Sequence, residues 1–225
     1  MKRLTFLLDV DNTLLDNDRL KNDLAARIRE RLGDRLAARF WELYEEVRHE
    51  RDYVDFPETV RRLALEAGNH GIQSILTDLL DNWPFKSYLY PGVLPTIAYL
   101  QTLGTVAILS DGDSVFQPLK IRESGLDTAV EGRVLIYIHK EQNLPEVFAR
   151  YPADHYVMVD DKARIAAELE RMCPTTFTTV LVLQGKYAHD RDVFPRPDYT
   201  VKHIADLRHF TAQQFLEPPR SPDSP

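Results

Sequence analysis

The sequence contains one cysteine and no excess of basic residues, and each shortage excludes a class of protein. A disulfide needs two cysteines, so Cys173 cannot form an internal one, and the chain suits a reducing compartment in which this thiol is structural. The 225 residues carry a net charge of −7, which does not fit the basic surface of a nucleic-acid-binding protein. We therefore expect no nucleic-acid partner.

Long apolar runs are also missing. Met1, Lys2 and Arg3 precede an apolar stretch, as in a secretory signal, but this stretch stops at Asp9, short of the ~7–15 residues that such a signal needs. No other segment approaches the length of a membrane span. These absences predict a cytoplasmic protein without a membrane partner, and no pattern in the sequence indicates an oligomeric state.

The chain does contain enough apolar residues, 44%, for a large core. They form short strand-like runs that alternate with segments of helical periodicity. The runs lie at residues 4–8, 105–109, 134–138, 155–159 and 179–183, with a possible edge strand at 199–201. Such alternation is typical of a doubly wound, Rossmann-like parallel sheet with helices on both faces, and we expect this α/β fold.

One long segment interrupts the alternation. Residues 17–85 show no strand signal, and apolar side chains recur there at helical spacing, as between Leu36 and Val47. This predicts a helical bundle inserted into a core formed by residues 1–16 and 86–216. Residues 217–225 are rich in proline and serine and lack apolar anchors, so we expect a disordered tail.

Two acids close the first predicted strand. Residues two apart in an extended chain point to the same side, so Asp9 and Asp11 are expected to converge. Like charges held together are unstable unless a cation joins them or one keeps a proton, so the pair indicates metal or acid–base chemistry. An Asp-rich turn gives the same pattern. A calcium-binding EF-hand loop is excluded, because Leu14 and Leu20 stand where glycine and a bidentate glutamate are required.

Polar residues follow three other predicted strands. Ser110 and Asp111 follow the second, Lys140 follows the third, and Asp160 and Asp161 follow the fourth. Ligands of open α/β sheets bind outside the carboxyl ends of the strands, so we expect these side chains to share one site with the two acids of the first strand.

Each of these residues also has a plainer interpretation. The Ser110–Asp113 stretch could be a simple turn, and Asp161 could only cap the helix that begins at Lys162. A lysine at a helix start is common, so Lys120 or Lys162 could be the active cation in place of Lys140.

In this order and context, the four groups of residues resemble the four motifs of the haloacid dehalogenase (HAD) superfamily of phosphohydrolases. The resemblance covers nearly the whole chain, with residues 17–85 at the position of that superfamily's α-helical cap and Tyr90-Pro91-Gly92 at the return to the core. It implies a Mg²⁺-dependent phosphatase that acts on a small phosphorylated metabolite.

The resemblance also implies catalytic roles. Asp9 would be the nucleophile that forms an aspartyl-phosphate, and Asp11 the acid that protonates the leaving oxygen and then the base that activates water. Ser110, with Asp111 beside it, would bind the phosphoryl group, and Lys140 would supply positive charge to the phosphate and to Asp9.

The same resemblance implies a metal site made of oxygen ligands, which Mg²⁺ prefers. The implied ligands are the Asp9 carboxylate, the backbone carbonyl of Asp11, Asp161 directly and Asp160 through water.

Two positions depart from the common pattern of the superfamily. Asn12 replaces a frequent glycine, and Asp111 replaces a frequent asparagine and adds negative charge near the phosphate. Dehalogenase members generally lack the second acid of the first motif, so the presence of Asp11 favours a phosphatase. Two rivals stay open: a mutase-like phosphotransferase that uses the same residues, and a metal-binding regulatory protein of this fold without turnover.

Substrate recognition is expected from the helical segment. Arg48, His49, Arg51 and Tyr53 form its densest polar and aromatic cluster, next to the turn before Pro57. Our hypothesis is that one or two of them contact the substrate, against the plainer interpretation of a solvated helix surface.

Overall fold

The fold is built on a parallel sheet of six strands. In the computed structural model, which describes residues 2–173, 175–189 and 194–218, the strands are β1 (Leu4–Leu8), β2 (Thr105–Asp111), β3 (Val134–Tyr137), β4 (His155–Asp160), β5 (Phe177–Val182) and β6 (Tyr199–Val201). Neighbouring strands are parallel throughout and follow the order β3-β2-β1-β4-β5-β6. This sheet confirms the predicted α/β class.

Helices occupy most of the chain between the strands. Between β1 and β2 lie α1 (Asn17–Leu32), α2 (Asp34–Arg51), α3 (Phe56–Glu66), α4 (Gly71–Asp81) and α5 (Val93–Gln101). The later helices are α6 (Phe116–Glu123), α7 (Leu126–Ala129), α8 (Leu144–Arg150), α9 (Ala163–Met172) and α10 (Ala212–Leu216). We call α1 to α4 the helical insertion.

The sheet packs against helices on both faces. Phe6 and Leu8 of β1 belong to a core that includes residues of α5 and of the helical insertion, whereas Leu7 belongs to a second core with residues of α8 and α9. Alternate residues of a strand point to opposite faces, so a strand covered on both sides is apolar throughout. This is why β1 reads as an unbroken apolar run.

Two helices begin later than their sequence signals predict. A helix is expected from Pro91, but α5 begins at Val93 because Gly92 takes a left-handed conformation with φ of 84°. A helix is also expected from Lys140, but a 3₁₀ turn covers Lys140–Asn143 and α8 begins at Leu144. Pro145 then lies in the first turn of α8, where its missing N–H costs no hydrogen bond.

The strand order positions the candidate site. From β1 the chain moves outward through β2 to β3 and then crosses to β4 on the other side, so β1 and β4 border the point where the order reverses. The Asp9 N–H donates to the Val159 carbonyl at 3.0 Å and holds the end of β1 beside the end of β4. In doubly wound sheets, ligands bind at such a reversal.

The predicted division into a core and a helical bundle stays a prediction. Most of the predicted disordered tail, residues 219–225, lies outside the described residues. Among the helices of the described part of the chain, none has both the length and the apolar content needed to cross a bilayer.

Candidate active site

Four predicted site residues form a buried cluster at the carboxyl ends of the strands. Asp9, Lys140, Asp160 and Asp161 are each at most 2% exposed, and we call them the buried cluster. The Lys140 ammonium lies 2.5 Å from Asp9 Oδ1 and 2.7 Å from Asp160 Oδ2. The same ammonium donates to the Leu109 carbonyl at 3.3 Å. A lysine that follows β3 therefore connects the ends of β1, β2 and β4.

The protonation of these groups is set by burial and by their neighbours. Burial raises the pKa of Asp9 to about 6, although the Lys140 ammonium opposes this shift. Burial alone would lower the pKa of Lys140, but the carboxylates of Asp160 and Asp9 raise it above its ordinary value. Burial also acts against ionised Asp160, yet Lys140 and Lys162 lower the pKa of this carboxyl. Lys140 and Asp160 thus form a charged pair beside Asp9.

Asp161 has no such partner among the residues that the structure describes. Among the described residues, nothing hydrogen-bonds to either of its carboxylate oxygens or to Asp9 Oδ2. Burial, together with the carboxylates of Asp160 and Asp9, raises the pKa of Asp161 to about 9. Carboxylate oxygens from Asp9, Asp160 and Asp161 lie within 4.8 Å of one another. Unpartnered buried oxygens that converge in this way fit a hard divalent cation with oxygen ligands, such as Mg²⁺.

Asp11 pairs with a different lysine. Its carboxylate forms an ion pair with Lys120 of α6, whose ammonium also lies 3.5 Å from Asn17 Oδ1. Lys120 is 1% exposed, whereas the Asp11 side chain keeps 29% of its exposure. The sequence left Lys120 and Lys140 as alternatives, and the structure gives each lysine its own aspartate.

Lys162, the third lysine weighed from the sequence, contacts the buried cluster through its backbone. Its N–H donates to Asp160 Oδ1 at 2.9 Å, and this contact holds the loop between β4 and α9. The Lys162 side chain lines the cavity described below.

Ser110 is held by a residue that the sequence did not point to. Gln117 of α6 is 3% exposed and donates from Nε2 to Ser110 Oγ at 2.8 Å. A Cβ atom at position 112 would lie 2.6 Å from the Gln117 side chain, so Gly112 is required for this contact. Asp111 accepts the backbone N–H of Lys140 at 2.8 Å. Its carboxylate therefore fixes the start of the 3₁₀ turn that carries Lys140.

Asn12 explains one departure from the common motif. Its φ of 61° is left-handed, a conformation that asparagine adopts more readily than most residues other than glycine. Its Oδ1 accepts the N–H groups of Asn17 at 3.1 Å and Asp18 at 3.2 Å, at the start of α1. Asparagine thus replaces glycine in the turn and also ties that turn to the helical insertion.

A cavity of about 550 Å³ lies between the sheet edge and the helical insertion. The core lines it with Asp11, Asp111, Gln117 and Lys162, and the insertion with Lys21, Tyr44 and Arg48, among others. The residues of the buried cluster are not among the described residues that line this cavity. The cluster therefore lies beneath the cavity surface.

The four predicted substrate contacts divide into two groups. Arg48 and Tyr53 line the cavity, whereas His49 and Arg51 are not among its described lining residues. The Arg51 guanidinium pairs with Asp55 and lies 3.7 Å from the Glu58 carboxylate, so local acids already engage it. A role in substrate binding stays a prediction for all four.

Comparison with known proteins gives one family. The model of the haloacid dehalogenase-like hydrolases matches residues 4–171. A crystal structure of a haloacid dehalogenase-like hydrolase from Burkholderia xenovorans LB400 is 43% identical, with a TM-score of 0.88 over 96% of this chain and 100% of that chain. The curated proteins give no match.

More distant solved structures share the fold. The L-2-haloacid dehalogenase of Xanthobacter autotrophicus, with chloropropionic acid covalently bound, is 16% identical with a TM-score of 0.58 over 93% of this chain and 98% of that one. The HAD-hydrolase YfnB of Bacillus subtilis, bound to magnesium, is 19% identical with a TM-score of 0.57 over the same shares, 93% and 98%.

The family model covers the chain from β1 almost to the end of α9, including four of the six strands and every residue of the buried cluster. The Burkholderia structure matches nearly the whole chain at an identity that shows common descent. The resemblance noted from the four motifs is therefore confirmed, and the chain belongs to the haloacid dehalogenase-like hydrolase family.

Proposed function

We propose that this hydrolase is a Mg²⁺-dependent phosphatase that hydrolyses a small phosphorylated metabolite through an aspartyl-phosphate on Asp9. The observation that carries the proposal is the buried cluster, in which Asp9 is paired with Lys140 while Asp161 keeps two unpartnered oxygens. Asp11, two residues from Asp9, lies at the surface of the adjoining cavity.

The proposed metal ligands are Asp9, Asp161 and the backbone carbonyl of Asp11, with Asp160 acting through water. Asp160 Oδ2 forms an ion pair with the Lys140 ammonium and Oδ1 accepts the Lys162 N–H, which supports the indirect role, and the oxygens of Asp161, which have neither kind of partner among the described residues, support the direct one. Bound Mg²⁺ supplies positive charge that offsets the repulsion between a carboxylate and a phosphate dianion.

The proposed reaction has two steps on the chain's own residues. An Asp9 oxygen forms a bond to phosphorus, the ester oxygen leaves, and Asp11 gives that oxygen its proton. Asp11 then takes a proton from a water molecule, whose oxygen attacks phosphorus and breaks the bond to Asp9. Lys140 and the Ser110 hydroxyl stabilise the phosphoryl oxygens by charge and by hydrogen bonding.

The pairing of Asp11 with Lys120 bears on the first step. A protonated Asp11 no longer attracts Lys120 by charge, so the proposal requires this ion pair to loosen when substrate binds. The partial exposure of the Asp11 side chain, 29%, supports contact with a leaving group in the cavity.

Access to Asp9 requires a movement, because the buried cluster lies under the cavity surface. His139 of the core lies 3.0 Å from Asp52, the residue that follows α2, so this contact links the core to the helical insertion at the cavity. An interdomain movement is described for the magnesium-bound Bacillus subtilis relative, which supports opening by motion of the insertion here.

Hydrolysis of p-nitrophenyl phosphate by the wild type and by Asp9→Asn, with Mg²⁺ and with EDTA, tests the proposal. We expect activity only with Mg²⁺, and a loss of about 10³-fold or more in the variant, as for other covalent nucleophiles. A wild type inactive on this ester and on a broad panel of phosphorylated metabolites would contradict the proposal.

Two further assays separate the rival functions. Chloride release from 2-chloropropionate would indicate a dehalogenase, and transfer of phosphate to a sugar instead of water would indicate a phosphotransferase. The presence of Asp11, which a dehalogenase does not need for a leaving halide, favours the phosphatase.

A further inference from the structure

We propose that the surface formed by Lys21, Tyr44 and Arg48, here named the helical wall, binds a second anionic group of the substrate. The inference rests on the proposed function, which supplies the phosphate monoester as the first anionic group. It adds that the organic part of the substrate itself carries a carboxylate or a second phosphate.

The first observation is the charge of the cavity. The chain as a whole is acidic, with a net charge of −7. Among the described residues, however, the cavity is lined by three carboxylates, Asp11, Asp52 and Asp111, against six cations, Lys21, Arg48, Lys120, Lys162, Arg164 and Lys186. An excess of positive charge confined to one concave surface attracts anionic ligands and raises their local concentration.

Two of the four cations on the core side lie close to acids. Lys120 pairs with Asp11, and Arg164 lies 3.7 Å from the Glu141 carboxylate. The ammonium groups of Lys162 and Lys186 have no carboxylate within 4.0 Å among the described residues and lie over the Tyr187 ring, at 5.9 Å and 4.9 Å from its centre. The positive charge that no described acid offsets is therefore shared between this core rim and the helical insertion, and the helical wall supplies the part that faces the core from α1 and α2.

Lys21 has no carboxylate within 4.0 Å among the residues that the structure describes. Its ammonium instead lies 5.1 Å from the centre of the Tyr44 ring, which holds it beside the cavity. Arg48 has one partner, Glu45, at 3.0 Å, and both side chains are about half exposed. An exposed pair of this kind is weak and is easily exchanged for a ligand anion.

Tyr44 joins the two cations into one surface. Tyr44 and Arg48 are four residues apart on α2 and hence lie on the same helix face, while Lys21 approaches from α1. Within the described part of the chain, no group accepts a hydrogen bond from the Tyr44 hydroxyl. Burial, with the nearby Asp11 carboxylate, raises the pKa of Tyr44, so this hydroxyl stays a donor. Two cations and one donor match the needs of an oxyanion.

The test is equilibrium binding to the Asp9→Asn variant, in which the proposed hydrolysis is blocked. The probes are ω-phosphorylated carboxylic acids of two to six carbons. Each is compared with the phosphate ester of a simple alcohol of equal length, which lacks the carboxylate. The range of lengths allows for different distances between the two anion sites. We expect at least one of these acids to bind about tenfold or more tightly than the matching alcohol phosphate, because a hydrogen bond to a charged group contributes about this much binding free energy. Metal-free wild type repeats the series should the variant not fold.

Variants assign the preference to the helical wall. Lys21→Met and Arg48→Gln should each reduce the ratio of acid to alcohol affinity several-fold, whereas the exposed controls Lys202→Met and Arg35→Gln should leave the ratio unchanged. Terminal bisphosphates of the same lengths distinguish a site for phosphate from a site for carboxylate. Equal affinity of acid, bisphosphate and alcohol at every length, or a preference that survives both wall variants, would overturn the inference.

The two proposals fail in different ways. If the wild type hydrolyses p-nitrophenyl phosphate while the acid series shows no preference, the phosphatase stands and the second anion site is wrong. If no phosphate ester is hydrolysed, the phosphatase is wrong, and the binding series still decides whether the helical wall selects anions.

Discussion

The buried cluster lies beneath the core side of the cavity and the helical wall lines its other side, and the two differ in burial and in how their charges are held. In the buried cluster, every residue is at most 2% exposed and lies at or just after the end of a strand. The helical wall carries its charge on Lys21 and Arg48, which keep contact with water. Charges act strongly where water is excluded and weakly where it is not. We infer that the buried cluster carries out the chemistry and that the helical wall selects the substrate.

Among variants that test this comparison, Lys140→Met should have the largest combined effect on stability and activity. Removal of this ammonium leaves Asp9 and Asp160 without their counter-ion in a buried site, which should cost about 3–5 kcal/mol of stability. Loss of positive charge beside the phosphoryl group should also lower kcat by about 10²–10³-fold. Chemical denaturation and steady-state kinetics measure the two effects.

Lys202→Met is the matched control for this variant, because Lys202 is exposed. It should keep both the stability and the kcat of the wild type. A Lys140→Met enzyme with nearly normal kcat would show that the buried cluster does not carry the chemistry.

Asp161→Asn should have the next largest effect, and whether it stabilises or destabilises the protein depends on whether Mg²⁺ is bound. Removal of an unpartnered buried carboxylate should raise the Tm of the metal-free protein, while the affinity for Mg²⁺ should fall by about 100-fold. Asp160→Asn is the matched control, since Asp160 is paired with Lys140 and its loss should lower the metal-free Tm. Thermal scans across a Mg²⁺ titration measure both, and a lower metal-free Tm for Asp161→Asn would contradict the proposed cation site.

The pH dependence of the metal-free protein sharpens the same point. The pKa of Asp161 is raised from 3.8 to about 9 in the folded state, so the folded chain holds a proton that the unfolded chain has released between these values. This contribution to stability is present at low pH and is lost as the pH rises toward 9. The difference in Tm between metal-free Asp161→Asn and wild type should therefore widen from pH 5 to pH 9. A difference in Tm that stays constant with pH would exclude the raised pKa of Asp161.

The smallest effect is expected on the outer surface of the helical insertion. Arg39 pairs with Glu42, Glu46 and Glu66 and thereby links α2 to α3 at the surface. Exposed ion pairs contribute little, so Arg39→Met should lower Tm by about 2 °C or less and leave kcat/KM unchanged. A large loss of kcat/KM would mean that the insertion acts on the chemistry and not only on recognition.

The sequence predicts the buried cluster well because it follows from strand geometry. The apolar run of β1 marks a central strand, and parallel pairing of Leu8 with Val159 sets Asp9 and Asp160 side by side. Lys140 follows β3 and needs no more than the correct strand order to reach them. Residues at strand ends thus carry enough local signal for their meeting point to be inferred.

Contacts that depend on helix placement could not be predicted in this way. The pairing of Asp11 with Lys120 and the hydrogen bond from Gln117 to Ser110 both require the position of α6 against β1 and β2. No periodicity in the sequence encodes that position. The engagement of Arg51 by Asp55 depends on helix placement as well, because Arg51 is the last residue of α2 and Asp55 caps the start of α3.

The central claim is that Asp9 becomes covalently phosphorylated, and rapid acid quench of the Mg²⁺-loaded enzyme with a ³²P-labelled phosphate ester tests it most directly. Peptide mapping by mass spectrometry should find the label on the peptide that contains Asp9, and Asp9→Asn should carry none. Turnover of the ester with no labelled peptide, or with label on a residue other than Asp9, would contradict the account.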